Sequence, residues 1–301
     1  MSDLLYEKQG AIAKIIINRP SKRNALNSAV LNGIDESLQK AAEDPQVRVV
    51  ILCSAGEKAF TAGFDLKESM ENDITDIVER RADTSHEIEF FLRMWRFPKP
   101  IIAAVQGYCI GGGVTLAMLS DLIIASNDAT FGNPEILLGY MPEIPMEIWK
   151  MPFNKAREFF FLSKYFTAKE MADMNVINMV VPYENLEKEA VKMAERIALI
   201  PPESMKMLKH SLNKCCELQG FLSTVDFVAE MFNLGRTYMQ TSQVDELQKG
   251  HRKRRLKNWP WIKNTIIKSG GLLWNVYGNG SIRKNESVLK KQHPSFRMGT
   301  A

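Results

Sequence analysis

The sequence predicts an α/β fold, and three observations lead to that prediction. Up to Ala125, apolar segments rich in β-branched residues alternate with segments whose apolar residues recur every three or four positions. Several strand segments are apolar at nearly every position, as expected for a sheet covered on both faces. Hydrophobic residues are 45% and charged residues 25% of the chain, close to the average of globular proteins, which excludes a collagen-like or disordered class. Strands that alternate with helices indicate a layered α/β core.

The predicted elements of the first half follow from these patterns in chain order. Asn27 or Ser28 can cap a first helix, whose apolar positions repeat from Val30 to Ala41 and which ends at Asp44-Pro45. A second helix spans about 67–97, and a short one lies near 114–119. The segments 54–65 and 107–113 contain glycine and are predicted as loops. The predicted strands are Ala11–Asn18, Val47–Cys53, Ile101–Val105 and Leu122–Ala125.

Helices dominate after Lys155, and this change suggests how the chain is divided. Pro201-Pro202 marks a boundary. We therefore predict a core with the site at 1–200, a helical oligomerisation region at 201–260 and a basic, poorly packed tail at 261–301. The predicted helices are 155–162, 168–174, 185–200, 203–216 and 224–238.

The charge is unevenly distributed along the chain. Residues 250–301 carry a net charge of +11 and the rest of the chain −7, which gives the overall +4. The densest basic run is 251–257, HRKRRLK. Such a run can contact nucleic acid, acidic lipid or a ligand phosphate. It can equally be a solvated helix end or a loose tail.

Metal, disulfide and membrane functions find little support in the composition. The four cysteines are too few for a disulfide framework, and neither they nor the four histidines have metal-ligand spacing. We expect reduced, mostly buried thiols and no metal. No apolar run reaches 18 residues, and the first residues lack the pattern of a signal peptide. We therefore expect a cytoplasmic protein without a membrane span.

Two glycine-containing turns are the first candidates for chemistry. Gly111-Gly112-Gly113 lies between a buried strand and a helix, where backbone N–H groups can point at a negative charge. It is not a phosphate loop, because Val114-Thr115 stands where such a loop has Lys-Ser/Thr. The second turn, 61–65, follows another strand. The two turns can form an oxyanion hole, or they can serve only tight strand-to-helix packing.

Two carboxylates lie on the following segment. Glu135 comes directly after Pro134 in the sequence FGNPE, and Glu143 follows Pro142. A carboxyl group that faces an apolar pocket has a raised pKa and can act as a general acid or base near neutral pH. A glutamate in an ordinary surface loop is simply solvated.

These motifs together resemble the crotonase superfamily, the enoyl-CoA hydratase/isomerase group. The resemblance covers about residues 5–215, with motifs in the same order and spacing. It is carried by Asn18-Arg19-Pro20, Arg23–Asn27, Ala59–Leu66, Lys99–Gly107, Gly111–Gly113 with Ser120-Asp121, Phe131–Gly139 and Val180–Pro182.

The resemblance implies a spiral of ββα turns with a C-terminal helical region, a homotrimer or dimer of trimers, and an acyl-CoA thioester substrate. No separate cofactor is implied, since coenzyme A belongs to the substrate. By position, the N–H groups of Phe64 and Gly112 would bind the thioester oxygen. Residues expected near coenzyme A are Arg23, Ala25, Leu26, Ala62, Phe64, Asp65 and Leu66, with Lys253, Arg254 or Lys257 near its phosphates.

The sequence departs from the family pattern at two places. Family hydratases use two glutamates, and Thr115 replaces one of them while Glu135 matches the other. The segment after Gly139 is bulky, and Glu143 falls where 4-chlorobenzoyl-CoA dehalogenase relatives have a nucleophilic aspartate.

Three functions follow from these matches and departures. The first is an enoyl-CoA hydratase/isomerase type of enzyme in which Glu135 is the single general acid/base. The second is C–C hydrolysis, dehalogenation or decarboxylation of a cyclic or aromatic acyl-CoA through Glu143, with Tyr140 and Trp149 in the pocket. The third is a weakly catalytic protein that binds RNA or another protein through its basic tail, although we do not expect nucleic acid as the main partner.

Overall fold

A six-stranded, mostly parallel sheet forms the larger layer of the fold. The structure, a computed structural model, describes residues 2–65, 68, 76–138 and 140–239. Strands β1 and β2 pair in antiparallel fashion, and the other neighbours pair in parallel. The spatial order is β1 (Leu4–Gln9), β2 (Ile12–Ile17), β3 (Val49–Ser54), β5 (Ile101–Val105), β7 (Leu122–Ser126) and β10 (Met179–Val181).

The inner strands are apolar throughout because both faces of this sheet are covered. Side chains of one strand point alternately to opposite faces. Val50 and Leu52 thus belong to one apolar cluster, while Val49 and Ile51 belong to a second cluster on the other side. Strand β1 is at the edge and mostly exposed, and it escapes prediction because it lacks an apolar run.

A second sheet has four short strands, two of which lie where the sequence predicts loops. Its order is β4 (Ala59–Thr61), β6 (Tyr108–Ile110), β8 (Thr130–Gly132) and β9 (Phe166–Thr167). The predictions of continuous loops at 54–65 and 107–113 are therefore wrong in part. Strands of two or three residues are too short to produce a recognisable period.

The two sheets are connected by a repeated ββα turn, which confirms the predicted fold class. A strand of the large sheet is followed by one of the small sheet and then by a helix, as in β3, β4 and the helix α2 (Ile77–Trp95). The next turn repeats this order with β5, β6 and α3 (Gly112–Leu119). In each of these turns, a connection that contains glycine follows the strand of the small sheet, so the two connections lie at neighbouring strand ends.

Among the remaining helices, those at residues 28–43 and 183–198 pack against the large sheet. Asn27 caps the first helix by accepting a hydrogen bond from the Val30 N–H at 3.0 Å, as predicted. No helix among the described residues is long and apolar enough to cross a membrane. The remaining helices are α1 (Ser28–Glu43), α4 (Glu147–Lys150), α5 (Phe153–Phe161), α6 (Ala168–Asp173), α7 (Tyr183–Ala198), α8 (Pro202–Leu218) and α9 (Phe221–Met239).

The last two helices are attached to the core by polar contacts. The buried Lys209 on α8 donates to a carboxylate oxygen of Asp121 at 2.7 Å. Thr84 on α2 donates to the Asn233 amide oxygen on α9 at 2.9 Å. The predicted division at residues 201 and 261 stays a prediction, and the predicted tail at 261–301 lies outside the described residues.

Candidate active site

Two glycine turns meet at the carboxyl ends of β4 and β6. Gly63 and Gly111 have φ angles of +86° and +52°, which favour glycine. A Cβ added to Gly112 would lie 2.8 Å from Cε2 of Phe64. One added to Gly113 would lie 2.3 Å from Cγ2 of Thr61. The turns therefore touch, and Phe64 lies directly beside Gly112.

The segments predicted to contact coenzyme A are also adjacent. The Ala62 N–H donates to the Arg23 carbonyl at 3.0 Å, and the Leu26 N–H donates to the Gly63 carbonyl at 2.8 Å. The Asp65 N–H in turn donates to the Leu26 carbonyl at 2.7 Å. These three bonds hold 23–26 alongside 62–65 as a short parallel pairing.

Asn24 stabilises this arrangement from inside. It has a φ of +55°, and its buried side chain donates to the carbonyls of Ala55 and Ala59 at 2.9 and 2.8 Å. Arg19 adds a second brace, since its guanidinium donates to the Ala25 carbonyl at 2.6 Å and to Asp65 at 3.1 Å. The sequence pattern indicates this role for neither side chain.

Glu135 lies against both glycine turns. It belongs to a short 3-10 helix, Pro134–Leu138, directly after β8. A Cβ added to Gly111 would lie 1.7 Å from Oε1 of Glu135, and one added to Gly63 would lie 3.0 Å from the same atom. The other oxygen, Oε2, is buried and has no hydrogen-bond partner among the described residues. The absence of side chains at these glycines is what makes room for the carboxyl group.

The pKa of Glu135 is raised to about 7, mainly because burial penalises the carboxylate. Its own backbone N–H lowers the pKa, and the nearby Glu147 raises it further. A group with a pKa near neutrality can both accept and return a proton at physiological pH. This is the environment that the sequence analysis proposed for Glu135 if it faced a pocket.

A cavity of about 100 Å³ opens in front of this carboxyl group. It brings together Phe64, Gly112, Thr115, Glu135 and Glu143, the five residues predicted as catalytic. Its walls combine apolar, polar and ionisable residues from five parts of the chain. The other lining residues are Glu87, Gly111, Asn133, Tyr140, Met141, Pro142, Phe232 and Arg236.

Burial also raises the pKa of Glu143 to about 7. The charge of Glu135 adds to this effect, while Glu143's own backbone N–H and the Arg236 guanidinium oppose it. The structure thus places two carboxyl groups and the Thr115 hydroxyl around one space. Trp149, predicted for the same pocket, instead packs against Phe221 with ring centroids 6.0 Å apart.

The predicted residues Leu66, Lys253, Arg254 and Lys257 lie outside the described residues. Among the residues that are described, no three His, Cys, Asp or Glu side chains are grouped as metal ligands. All four cysteines are free, but Cys215 is exposed, so the expectation of mostly buried thiols is wrong there.

Glu87 and Arg236 are pocket residues that the sequence analysis missed. Glu87 lies in the middle of α2 and Arg236 near the end of α9, each in an ordinary amphipathic helix. A charged residue on such a helix is usually solvated, and no local motif distinguishes these two. Only the packing of the two helices over the site brings them into the cavity.

Comparison with known proteins identifies the family to which the chain belongs. The model of the enoyl-CoA hydratase/isomerase family matches residues 7–259. A short-chain-enoyl-CoA hydratase of Clostridium acetobutylicum is 31% identical, with 86% of this chain and 98% of that protein aligned. A probable mitochondrial enoyl-CoA hydratase of Dictyostelium discoideum is 36% identical over 70% of this chain and 76% of that protein.

Solved structures agree with the sequence relatives. An enoyl-CoA hydratase/isomerase of Xanthobacter autotrophicus superposes with a TM-score of 0.78 at 31% identity, covering 90% of this chain and 98% of the other. A probable enoyl-CoA hydratase of Mycobacterium smegmatis gives 0.75 at 34% identity, covering 80% and 98%. The α/β fold and the site define an enzyme of the crotonase superfamily. The chain belongs to its enoyl-CoA hydratase/isomerase family.

Proposed function

We propose that the protein is an acyl-CoA enzyme of the hydratase/isomerase type in which Glu135 transfers the proton. The observation that carries this proposal is the position of Glu135. Its carboxyl group lies against both glycine turns, in a cavity that Phe64 and Gly112 also line, and one of its oxygens has no hydrogen-bond partner within the part of the chain that the structure describes. A thioester whose oxygen accepts hydrogen bonds from the N–H groups of those two residues would have its α-carbon near Glu135.

The oxyanion hole would stabilise the enolate that forms when this carbon loses a proton. Each such donor typically contributes about 3 kcal/mol to the stability of the transition state. In an isomerisation, the Glu135 carboxylate takes the α-proton of a 3-enoyl thioester and returns it at the γ-carbon. The double bond moves to the 2,3-position, and no other reactant is consumed.

Hydration is the second reaction open to the same site. Water would add its oxygen to the β-carbon of a 2-enoyl thioester while the α-carbon gains a proton. Thr115 would orient the water but cannot take its proton as a carboxylate does, so Glu135 would have to serve both steps. We therefore expect hydration to be slower than isomerisation.

The size of the cavity supports a short acyl group. A cavity of about 150 Å³ is known to hold a benzene ring in another protein. The cavity in front of Glu135 measures about 100 Å³. A four-carbon acyl chain fits a space of this size, and one relative is named for short-chain substrates.

Mass spectrometry of acyl-CoA products formed in H₂¹⁸O tests the proposal. The panel comprises 2-enoyl, 3-enoyl and cyclic or aromatic thioesters. A shifted double bond without ¹⁸O identifies isomerisation, and ¹⁸O in a hydroxyacyl product identifies hydration. Absence of any enoyl conversion would contradict the proposed reaction type.

Glu135→Gln is expected to lower turnover by about 10²- to 10⁴-fold, because general acid–base catalysis contributes that much. Turnover is followed on the thioester that the wild-type protein converts fastest. Glu189→Gln is the matched control, since Glu189 pairs with Lys192 on the surface of α7. Equal rates for Glu135→Gln and the wild-type protein would contradict the role of Glu135 as general acid/base.

The second candidate function uses Glu143 as a nucleophile on a cyclic or aromatic acyl-CoA. It is favoured by the position of Glu143 in the same cavity as Glu135. In a dehalogenation, a carboxylate oxygen would bond to the ring carbon, the halide would leave, and water would hydrolyse the resulting ester. Glu143→Ala with full activity on such thioesters would argue against this chemistry.

We also propose that the protein assembles as a homo-oligomer. Helix α8 has 17 residues, of which only Lys209 is buried. Its exposed apolar side chains include Met207, Leu208, Leu212 and Leu218. An apolar helix face of this kind is typical of an interface between subunits.

A further inference from the structure

Three ionisable residues in the cavity have no role in the reaction described for Glu135. Glu87 reaches the cavity from α2, Glu143 from the segment between the 3-10 helix and α4, and Arg236 from α9. They come from three elements far apart in sequence. Their convergence is therefore a product of the tertiary structure, and it calls for a physical explanation.

The two helices are held together by several side-chain bonds. Besides the bond from Thr84 to Asn233, Arg80 donates to the Thr237 hydroxyl at 3.0 Å. Arg81 forms an ion pair with Glu230 at the surface. These contacts fix α2 against α9 and hence fix Glu87 relative to Arg236.

Helix α9 also lies against the segment that carries Glu143. A Cβ added to Gly235 would lie 3.0 Å from Cε of Met141. The Arg236 guanidinium carbon is 5.8 Å from the centroid of the Tyr140 ring and 5.7 Å from that of Phe232. Cation–π attraction at these distances holds the guanidinium at the cavity wall.

The charges of this group balance only if one carboxyl group is protonated. Two carboxylates and one guanidinium would leave an uncompensated negative charge in a poorly hydrated space, which is energetically unfavourable. One shared proton brings the net charge to zero. Two interacting carboxyl groups then lose their protons in two separate steps.

Burial raises the pKa of both carboxyl groups, and Asp83, one turn from Glu87 on the same helix, favours Glu143 as the group that carries the negative charge. Burial raises the pKa of Glu87 to about 8, and the charges of Glu143 and Asp83 add to this while Arg236 opposes it. Glu143, with a pKa of about 7, faces Glu135 and Arg236. Asp83 lies one turn before Glu87 on the same helix and disfavours a second negative charge there.

We propose that Glu87 and Glu143 share one proton across the cavity and that Arg236 compensates the remaining negative charge. Glu143 then faces the acyl group as a carboxylate, and Glu87 remains a neutral acid. Glu87 and Arg236 are positioning residues that act through Glu143. The inference rests on the proposed function only in placing an acyl group beside Glu143.

Carbon-13 NMR of protein labelled at the glutamate side-chain carboxyl groups measures these charge states directly. Exposed glutamates titrate near pH 4.3, so signals that titrate between pH 6 and 9 come from buried groups. Variants with Gln at positions 87, 135, 143 and 147 assign the signals. Glu143→Gln is expected to lower the pKa of Glu87 by about one unit, because a neighbouring negative charge is removed.

Arg236→Gln is expected to raise the pKa values of both Glu87 and Glu143 by about one unit, and Arg236→Lys to restore them. Glu230→Gln and Arg81→Gln are controls, since they alter the contact between the same helices outside the cavity. If Arg236 had only a structural role, the Lys and Gln variants would change the pKa values of Glu87 and Glu143 to the same extent.

The proposal is overturned if Glu87 titrates unchanged in both Glu143→Gln and Arg236→Gln. The pH profile of turnover is recorded on the same variants. Shifted titrations without turnover on any thioester would contradict the proposed function and support the proton sharing. Unchanged titrations with normal turnover would leave the proposed function standing and refute the sharing.

Discussion

At the scale of single residues, glycine creates the space for the candidate general acid/base. Gly111 combines a left-handed backbone with direct contact to Oε1 of Glu135. Any side chain at this position would displace the carboxyl group. The φ of +52° favours glycine at this position, and the closeness of Glu135 leaves no room for a side chain.

Gly111→Ala is therefore expected to lower turnover by at least 10²-fold, because the new methyl group would occupy the position of the Glu135 carboxyl oxygen. Kinetics on the best thioester substrate measure the effect. Gly10→Ala is the matched control, since Gly10 has a φ of +56° but no atom within 4 Å of an added Cβ. Both changes are expected to destabilise the fold because each φ is positive, and Gly111→Ala also because its methyl group displaces the Glu135 carboxyl group. Equal loss of activity in the two variants would refute the steric argument.

At the scale of elements, helix α4 brings a buried carboxyl group behind the site. Glu147 is 1% exposed, and its Oε2 has no hydrogen-bond partner among the described residues. Burial raises its pKa to about 7, against about 4.3 for a glutamate in an unfolded chain. Between these two values the folded state holds a proton that the unfolded chain has released. The free energy of unfolding therefore falls as the pH rises through this window.

The glutamine side chain in Glu147→Gln cannot ionise, so we expect that Glu147 no longer lowers the free energy of unfolding in this pH window. Relative to the wild-type protein, its free energy of unfolding should improve by up to about 3 kcal/mol between pH 4.5 and pH 8. Urea unfolding at a series of pH values measures the difference. Glu89→Gln serves as the control, since Glu89 is exposed and lies 4.0 Å from Arg96 in a long ion pair. Parallel stability curves for Glu147→Gln and the wild-type protein would show that Glu147 does not titrate in this range.

At the scale of the whole molecule, the exposed apolar side chains of α8 form the surface through which we propose that copies of the chain assemble. The side chains of Leu208 and Leu212 are 52% and 60% exposed. Burial of the part that is still exposed would contribute about 1 to 2 kcal/mol for each residue.

We expect light scattering after size-exclusion chromatography to give three or six times the mass of the chain. Replacement of both Leu208 and Leu212 by Glu is expected to shift the protein towards the monomer. Lys206→Glu, on the same helix, is the control for added negative charge. A wild-type monomer at micromolar concentration would contradict the proposed assembly.

Much of the large sheet could be predicted from the sequence, because its inner strands are continuous apolar runs such as Val49–Leu52 and Ile101–Val105. The helix capped by Asn27 was predictable for the same reason, since cap and period are both local. The short strands β4, β6, β8 and β9 were not predictable. They exist only because the chain pairs with segments that are distant in sequence.

Part of the candidate site could likewise be predicted from the sequence, and part could not. The sequence by itself determined the glycine turns, the Pro-Glu loop and the replacement of a family carboxylate by Thr115, because each is a local pattern of residue types. Only the tertiary structure decided that Glu87 and Arg236 enter the cavity and that Trp149 does not. The pKa of Glu135 was decided there as well, since it depends on burial and on the charge of Glu147. Burial and charge proximity arise from long-range packing, and a linear pattern does not encode them.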